Sequence, residues 1–373
     1  MPGRRRFLQA TAATAVVGLA PRTIRAAAPR AVFLGARVDG GRAFAAGFDA
    51  EGGAAFDIAL PARGHGFAQR PGRLDEIVAF ARRPGAFMIV ADRRDGHVLR
   101  EVAAVENRRF CGHGAFDGTG RLLYATELVH DTGDGILGIY DAAAGYARVG
   151  EVPSGGLDPH EIRLLPDGET LVVANGGILT DPDAPGIKLN VDEMESSLAY
   201  LRARDGALLG TARLPGELFQ LSLRHLAIAP DGAVAVVMQY EGPSDDRVPL
   251  LALHRRPGAA LETVVLPDRV LGRLRNYCGS AALDTSGRFL ATSSPVGGVA
   301  VLWDVRERRC LGCAEIADGC GLAAGDGAGT FLVTSGQGGG YFVVADLPMV
   351  RSSPIPSAFL DSGRWDNHVT RLL

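Results

Sequence analysis

The feature that most constrains this chain is a repeat. Residues 157–177, LDPHEIRLLPDGETLVVANGG, set a histidine at the mouth of an apolar run, then a Pro-Asp-Gly turn, a second β-rich run and a polar stop at Asn175. That order describes two antiparallel strands joined by a tight turn. His113 opens a second copy that ends at Glu127, His225 a third that ends at Gln239, and Ser280 a fourth that ends at Ser294. In these three copies the opening residue stands seven before the turn glycine (Gly120, Gly232, Gly287), and the polar stop stands seven after it. The 157–177 copy keeps the second interval and lengthens the first by one.

Looser copies start at His65 and near Leu322, and a single last strand starts at His368. The starts 65, 113, 160, 225, 280, 322 and 368 are separated by 48, 47, 65, 55, 42 and 46 residues. Such intervals are mostly the length of one four-stranded propeller blade. The expected fold is therefore all-β, a seven-bladed β-propeller. Residues 31–61 supply three strands that lack a leading strand, and HVTRLL at the C-terminus is a leading strand without followers. The two ends are expected to complete one blade and close the ring, leaving no unpaired sheet edge. The long spacing after His160 predicts an inserted loop over 178–196 that roofs one mouth of the channel, and residues 351–364 read as a connection back to the closing strand.

The N-terminus carries an address. Arg4-Arg5-Arg6-Phe7-Leu8-Gln9 is a twin-arginine signature, followed by a mildly apolar run to Ala20 and the small residues Ala26-Ala27-Ala28. Residues 1–28 read as a removed signal peptide and 29–373 as one propeller domain, which places the mature protein in the periplasm. The apolar run is too short to span a bilayer, so no stable membrane span is expected after signal removal. Cleavage removes five arginines and no acid, which moves the net charge from −3 to −8. A basic footprint for nucleic acid is absent.

In a propeller the start of each first strand and the end of each second strand lie at one end of the channel. His65, His113, His160, His225 and His368 are thus expected to circle one mouth, with Glu127, Asn175 and Gln239 beside them. Imidazoles are common ligands of late first-row metals, and a carboxylate balances their charge. His113, His160, His225, Glu127, His65 and His368 are the candidate ligands of a transition metal, with iron, copper and zinc all open. Arg224, Asn175 and Gln239 are the candidate contacts to a bound group. Glu161 adjoins His160, but strand alternation points neighbours to opposite faces.

A structural reading stands beside the metal one. In WD-type repeats a Gly-His pair at this position hydrogen-bonds toward a third-strand tryptophan, and Gly64-His65 and Gly112-His113 look like that pair. Trp303-Asp304 falls in the blade that starts at Ser280, and no His-started blade has a third-strand tryptophan, so no such tetrad is assembled.

Three Cys-Gly pairs, at Cys111, Cys278 and Cys320, hold matching places before first strands and read as small buried residues near the axis. Cys310 and Cys313 form a lone CxxC, a weak metal signal. With no CxxCH, covalent haem is excluded. No Ser-His-Asp order, P-loop or dinucleotide fingerprint is present.

GHGAFDGTGRLLYATE, DPHEIRLLPDGETLVVANGGI, KLNVDEMESSLAYL, QLSLRHLAIAPDG and VMQYEG together resemble a family of twin-arginine-exported bacterial propellers known only as a domain of unknown function. The resemblance implies a role in periplasmic iron handling beside imelysin-like partner proteins. Three functions follow. The first is a metal-binding or accessory protein of iron acquisition that seats a metal or a small metal complex. The second is an enzyme on the same face, either a lactonase-like hydrolase, since PHEIRLLPDG also resembles lactonase propellers, or a metal-dependent oxidoreductase. The third is a docking scaffold without metal.

Overall fold

The repeat's turns are built from the groups their sequence supplies. Asp117 Oδ1 accepts from the backbone N–H of Arg121 and Leu122, with Gly120 at φ 70° between them. Asp284 does the same for Arg288 and Phe289 around Gly287, and Asp167 for Glu169 and Thr170 around Gly168. Only a residue without Cβ adopts that left-handed conformation at little cost, so an Asp-to-Gly spacing becomes a hairpin.

The computed structural model describes residues 30–373, so the signal-peptide reading of 1–28 lies outside the described residues. Each hairpin begins with a first strand: Gly64–Arg70, Arg108–Phe116, Pro159–Leu164, Leu221–Ile228, Ser280–Leu283 and Gly319–Ala324. Each is followed by three more strands, paired antiparallel in chain order, which gives five separate four-stranded sheets and one sheet of eight. The eight-stranded sheet consists of two such groups. The C-terminal strand Arg364–Arg371 pairs antiparallel with Phe33–Asp39, as the unmatched strands at the two ends require, and Arg42–Phe48 and Ala54–Leu60 follow. A parallel contact between Leu322 and His368 joins this group to the one before it. The architecture is mostly β and propeller-like, with each first strand in contact with the first strand of the next group.

The core lies between neighbouring sheets. Tyr124, Leu137 and Ala115 of one group pack with Ile162, Leu171, Val173 and Ala199 of the next. Second and third strands such as Val234–Tyr240 and Val299–Asp304 are buried over most of their length, because both faces meet a neighbouring sheet. Fourth strands are largely exposed. For that reason residues 351–354, expected as the start of a connection, belong to a strand, Met349–Pro354: on an outer edge it holds by backbone pairing to Gly340–Asp346 and shows no apolar pattern. Two short helices, Asp268–Leu274 and Ala358–Ser362, were also not expected from the repeat.

All five cysteines are free; Cys111 and Cys320 are buried within first strands and Cys278 just before one, and burial pushes each thiol up to about 12. No helix among the described residues is long and apolar enough to cross a membrane.

Candidate metal centre

Five histidines from five first strands come together. Around the cluster the imidazole centroids are separated by 5.0 Å (His65–His113), 5.3 Å (His113–His160), 4.7 Å (His160–His225), 4.7 Å (His225–His368) and 4.5 Å (His368–His65). Two local devices permit this crowding. Glycines flank the imidazoles: a Cβ on Gly112 would lie 2.7 Å from His65 Cδ2, and one on Gly66 would lie 2.7 Å from His113 Nδ1. Gly112 and Gly66 therefore admit a neighbouring imidazole, and Trp303 Nε1 donates elsewhere, to Thr292.

The second device is a β-bulge at every one of these histidines. Register shifts fall between Gly64 and Phe67, Phe110 and Gly114, Pro159 and Ile162, and Leu223 and His225, and between Gly35 and Arg37 opposite residues 366–368. Where two residues oppose one, alternation breaks and a side chain is re-aimed. His160 and Glu161 together face the single residue Ala174. Glu161, set on the opposite face by simple alternation, consequently lies against His225.

The protons in the cluster can be placed from its partners. Glu161 Oε2 accepts from His225 Nδ1 at 3.2 Å and from the backbone N–H of Leu226 at 3.1 Å, while Oε1 accepts from Arg163 at 2.6 Å. Asp366 Oδ1 holds His65 Nδ1 at 2.7 Å, and its other oxygen accepts from Arg63 and Arg82. Burial by itself would raise both carboxyl groups. Arg163 and His225 at Glu161, and His65, Arg82 and Arg63 at Asp366, more than offset it and hold both below the usual carboxylate range. Both acids are thus ionised, each turning the far nitrogen of its imidazole outward as a bare acceptor.

Burial also holds His113, His160 and His368 well below the ordinary imidazole value, and lowers His225. These four imidazoles are therefore neutral near pH 7. His113 Nε2, His225 Nε2 and His368 Nε2 are buried without any hydrogen-bond partner. An unsatisfied buried polar atom costs roughly 1–3 kcal/mol, and three of them lie in a group of side chains that could hold a metal ion. One donor atom from each of His113, His225, His368 and Glu161 lies within 4.8 Å of the others. A second group with donor atoms as close is His65, His113 and His160; donors around a tetrahedral ion stand roughly 3.3 Å apart at metal–nitrogen distances of about 2.0–2.1 Å, so either group could hold an ion after contraction.

The other expected site residues are distributed differently. Glu127 is not at the cluster: Oε1 accepts from Tyr140 at 2.6 Å, Oε2 accepts from Arg148 at 3.0 Å, and the side chain lies over Gly138, where a Cβ would come within 1.9 Å of it. The carboxylates beside the imidazoles are Glu161 and Asp366. Asn175 is fully buried within its own group, donating to Ser154 O and Ser197 Oγ. Arg224 and Gln239 do face the cluster's open side. They line a cavity of about 280 Å³ together with His65, His160, His225 and Lys188, and Ile178, Thr180 and Pro185 of the expected roofing insertion cover it. Asp366, Arg82, Arg83 and Asp158 carry no repeat signal and were not legible as site residues. Glu161 was visible only as the neighbour of His160.

Fold and site together define an all-β, propeller-like protein with a buried histidine–carboxylate cluster that could hold a metal ion. The chain belongs to the family described as "Protein of unknown function (DUF1513)", whose model matches residues 58–372. No curated protein sequence matches it. Among solved structures it is similar to hydrazine synthase of Kuenenia stuttgartiensis, at 14% identity and a TM-score of 0.60, over 90% of this chain and 98% of that one. At that identity the likeness concerns the fold alone.

Proposed function

We propose that this protein binds a transition-metal ion through Nε2 of His113, His225 and His368, next to the cavity that His225 lines, in a closed ring of seven four-stranded blades. The observation that carries the reading is the set of three buried imidazole nitrogens without partners, one of them on an imidazole whose Nδ1 faces the Glu161 carboxylate. Two ionised carboxylates close by, Glu161 and Asp366, offset the charge of a divalent ion. His65, oriented by Asp366, is a fourth imidazole with its acceptor nitrogen available. Nitrogen-rich sets of this kind suit copper, zinc and iron.

The setting is a periplasmic accessory role in iron acquisition, after twin-arginine export and beside imelysin-like proteins. Its support is the Arg4-Arg5-Arg6 signature and the family resemblance carried by the His113, His160 and His225 repeats. A metal-dependent oxidoreductase or hydrolase would use the same centre with its cavity as the substrate site.

Elemental analysis and calorimetry on the purified protein test the metal reading. The expected result is one ion per chain in the wild type and none in the His113→Ala/His225→Ala/His368→Ala variant, with circular dichroism unchanged. Equal uptake by both proteins would leave the histidines as structural groups.

A further inference from the structure

His160 differs from the other imidazoles of the cluster. Its Nδ1 lies 3.4 Å from Nη1 of Arg224. A guanidinium only donates, so Nδ1 of His160 must accept, and the proton of the neutral imidazole sits on Nε2. His160 is half-buried and lines the cavity, 4.7 Å from His225 between ring centroids. Its Nε2 therefore carries the proton, whereas Nε2 of His225, whose Nδ1 faces Glu161, is bare; His160 also stands with His65 and His113 in a group whose donor atoms lie within 4.8 Å of one another.

Arg224 points the same way. It is 7% exposed, its Nη1 stands 2.9 Å from Asp158 Oδ2, and its Nε is buried without a partner. The cavity wall holds four cationic side chains, Arg82, Arg83, Lys188 and Arg224, and one carboxylate, Glu241, which pairs with Lys188 and leaves the three arginines facing the cavity. Asp158 and Asp366 stand behind the arginines and fix them, with Arg83 paired to Asp158 and Arg82 to Asp366. A low-dielectric cleft with donors of one sign selects an anion.

Resting on the metal reading above, we propose that the cavity receives a small carboxylate as the exogenous ligand of the metal, with His160 Nε2–H and the Arg224 guanidinium as its donors. One carboxylate oxygen takes the open coordination position and the other accepts from the protein. The cavity of about 280 Å³ under the insertion has room for a small acid. The acid can arrive free or already on the metal. His160 is in this scheme a ligand-recognition residue and contributes nothing to metal stoichiometry.

Cobalt(II)-loaded protein provides the test, because its visible d–d bands respond to a change of ligand. Acetate and citrate are titrated into the loaded wild type, and cobalt–citrate is added separately to the metal-free protein. A saturable spectral change with both acids is expected. Agreement of the two citrate end points shows that either source fills the site; a response by one route alone identifies the source. His160→Ala should keep one cobalt per chain and bind acetate roughly 10- to 100-fold more weakly, the worth of one hydrogen bond to a charged group. His160→Gln, which retains an N–H donor, should recover part of that loss and guards against a folding defect in the alanine variant. Cobalt bound with no spectral response to either acid overturns this proposal and leaves the metal reading standing. Loss of cobalt in His160→Ala also overturns it, by making His160 a ligand. Failure of the wild type to bind cobalt removes both readings.

Discussion

Glu161 Oε2 lies 3.2 Å from Nδ1 of His225, across two neighbouring first strands. The carboxylate stays ionised because Arg163 and the backbone N–H of Leu226 share its charge, so Nδ1 carries the imidazole proton and Nε2 is left bare. A buried acid thereby sets the tautomer of a candidate ligand residue. Outer partners of this kind are commonly worth 10- to 100-fold in metal affinity. Glu161→Gln is expected to weaken metal binding by about that factor without loss of the fold, as read by calorimetry alongside circular dichroism. Unchanged affinity would remove Glu161 from the centre.

Glu127 should behave in the opposite way. It accepts from Tyr140 and Arg148 inside its own sheet and is 1% exposed. Glu127→Gln leaves those partners poorly matched, which costs roughly 1–3 kcal/mol. Chemical denaturation should show that loss while metal stoichiometry stays at the wild-type level. Loss of metal at unchanged stability would restore Glu127 as a ligand.

Gly112 has φ 102°, and a Cβ there would sit 2.7 Å from His65 Cδ2. Both the strained backbone and the displaced imidazole penalise Gly112→Ala, by about 1–3 kcal/mol for the backbone alone. The expected outcome is a lower denaturation midpoint together with weaker metal binding. A variant as stable and as metal-competent as the wild type would mean that the close approach of the two first strands is dispensable.

The metal-free protein should be acid-labile, and the sign follows from the buried imidazoles. His113 and His368 have folded values well below 6.5, so between the folded and unfolded values the unfolded chain binds more protons. Stability is full above about pH 6.5 and falls as the pH drops below it, by at most about 1.4 kcal/mol per pH unit for each imidazole. Glu161 and Asp366, held low in the folded state, add a further loss as the pH falls below the unfolded carboxylate values near 4. Denaturation midpoints measured between about pH 7.5 and about pH 5 should trace this decline. A flat profile there would show that the imidazoles are already charged or exposed.

Much of the fold could be read from spacing. The turn glycines Gly120, Gly232 and Gly287 mark hairpins because a positive φ and an aspartate cap are local requirements, met within five residues. The pairing of Arg364–Arg371 with Phe33–Asp39 was legible because each end lacked what the other offered. Met349–Pro354 was not, since an exposed outer strand has no apolar alternation to display.

The gathering of His65, His113, His160, His225 and His368 is a matter of repeat position, and sequence alone determined it: equivalent places in equivalent hairpins meet at one end of the molecule. Which carboxylate joins them was decided only in the tertiary structure. Glu127 holds a repeat position and yet turns to Tyr140, because Gly138 opens space for it within the sheet. Glu161 reaches His225 because a bulge cancels the alternation that would have sent it away, and the partners are 64 residues apart. Asp366 meets His65 across 301 residues. Periodicity reports the direction of a side chain along a regular strand; a bulge and the neighbour across the axis reset that direction, and neither leaves a mark in the spacing of a single sequence.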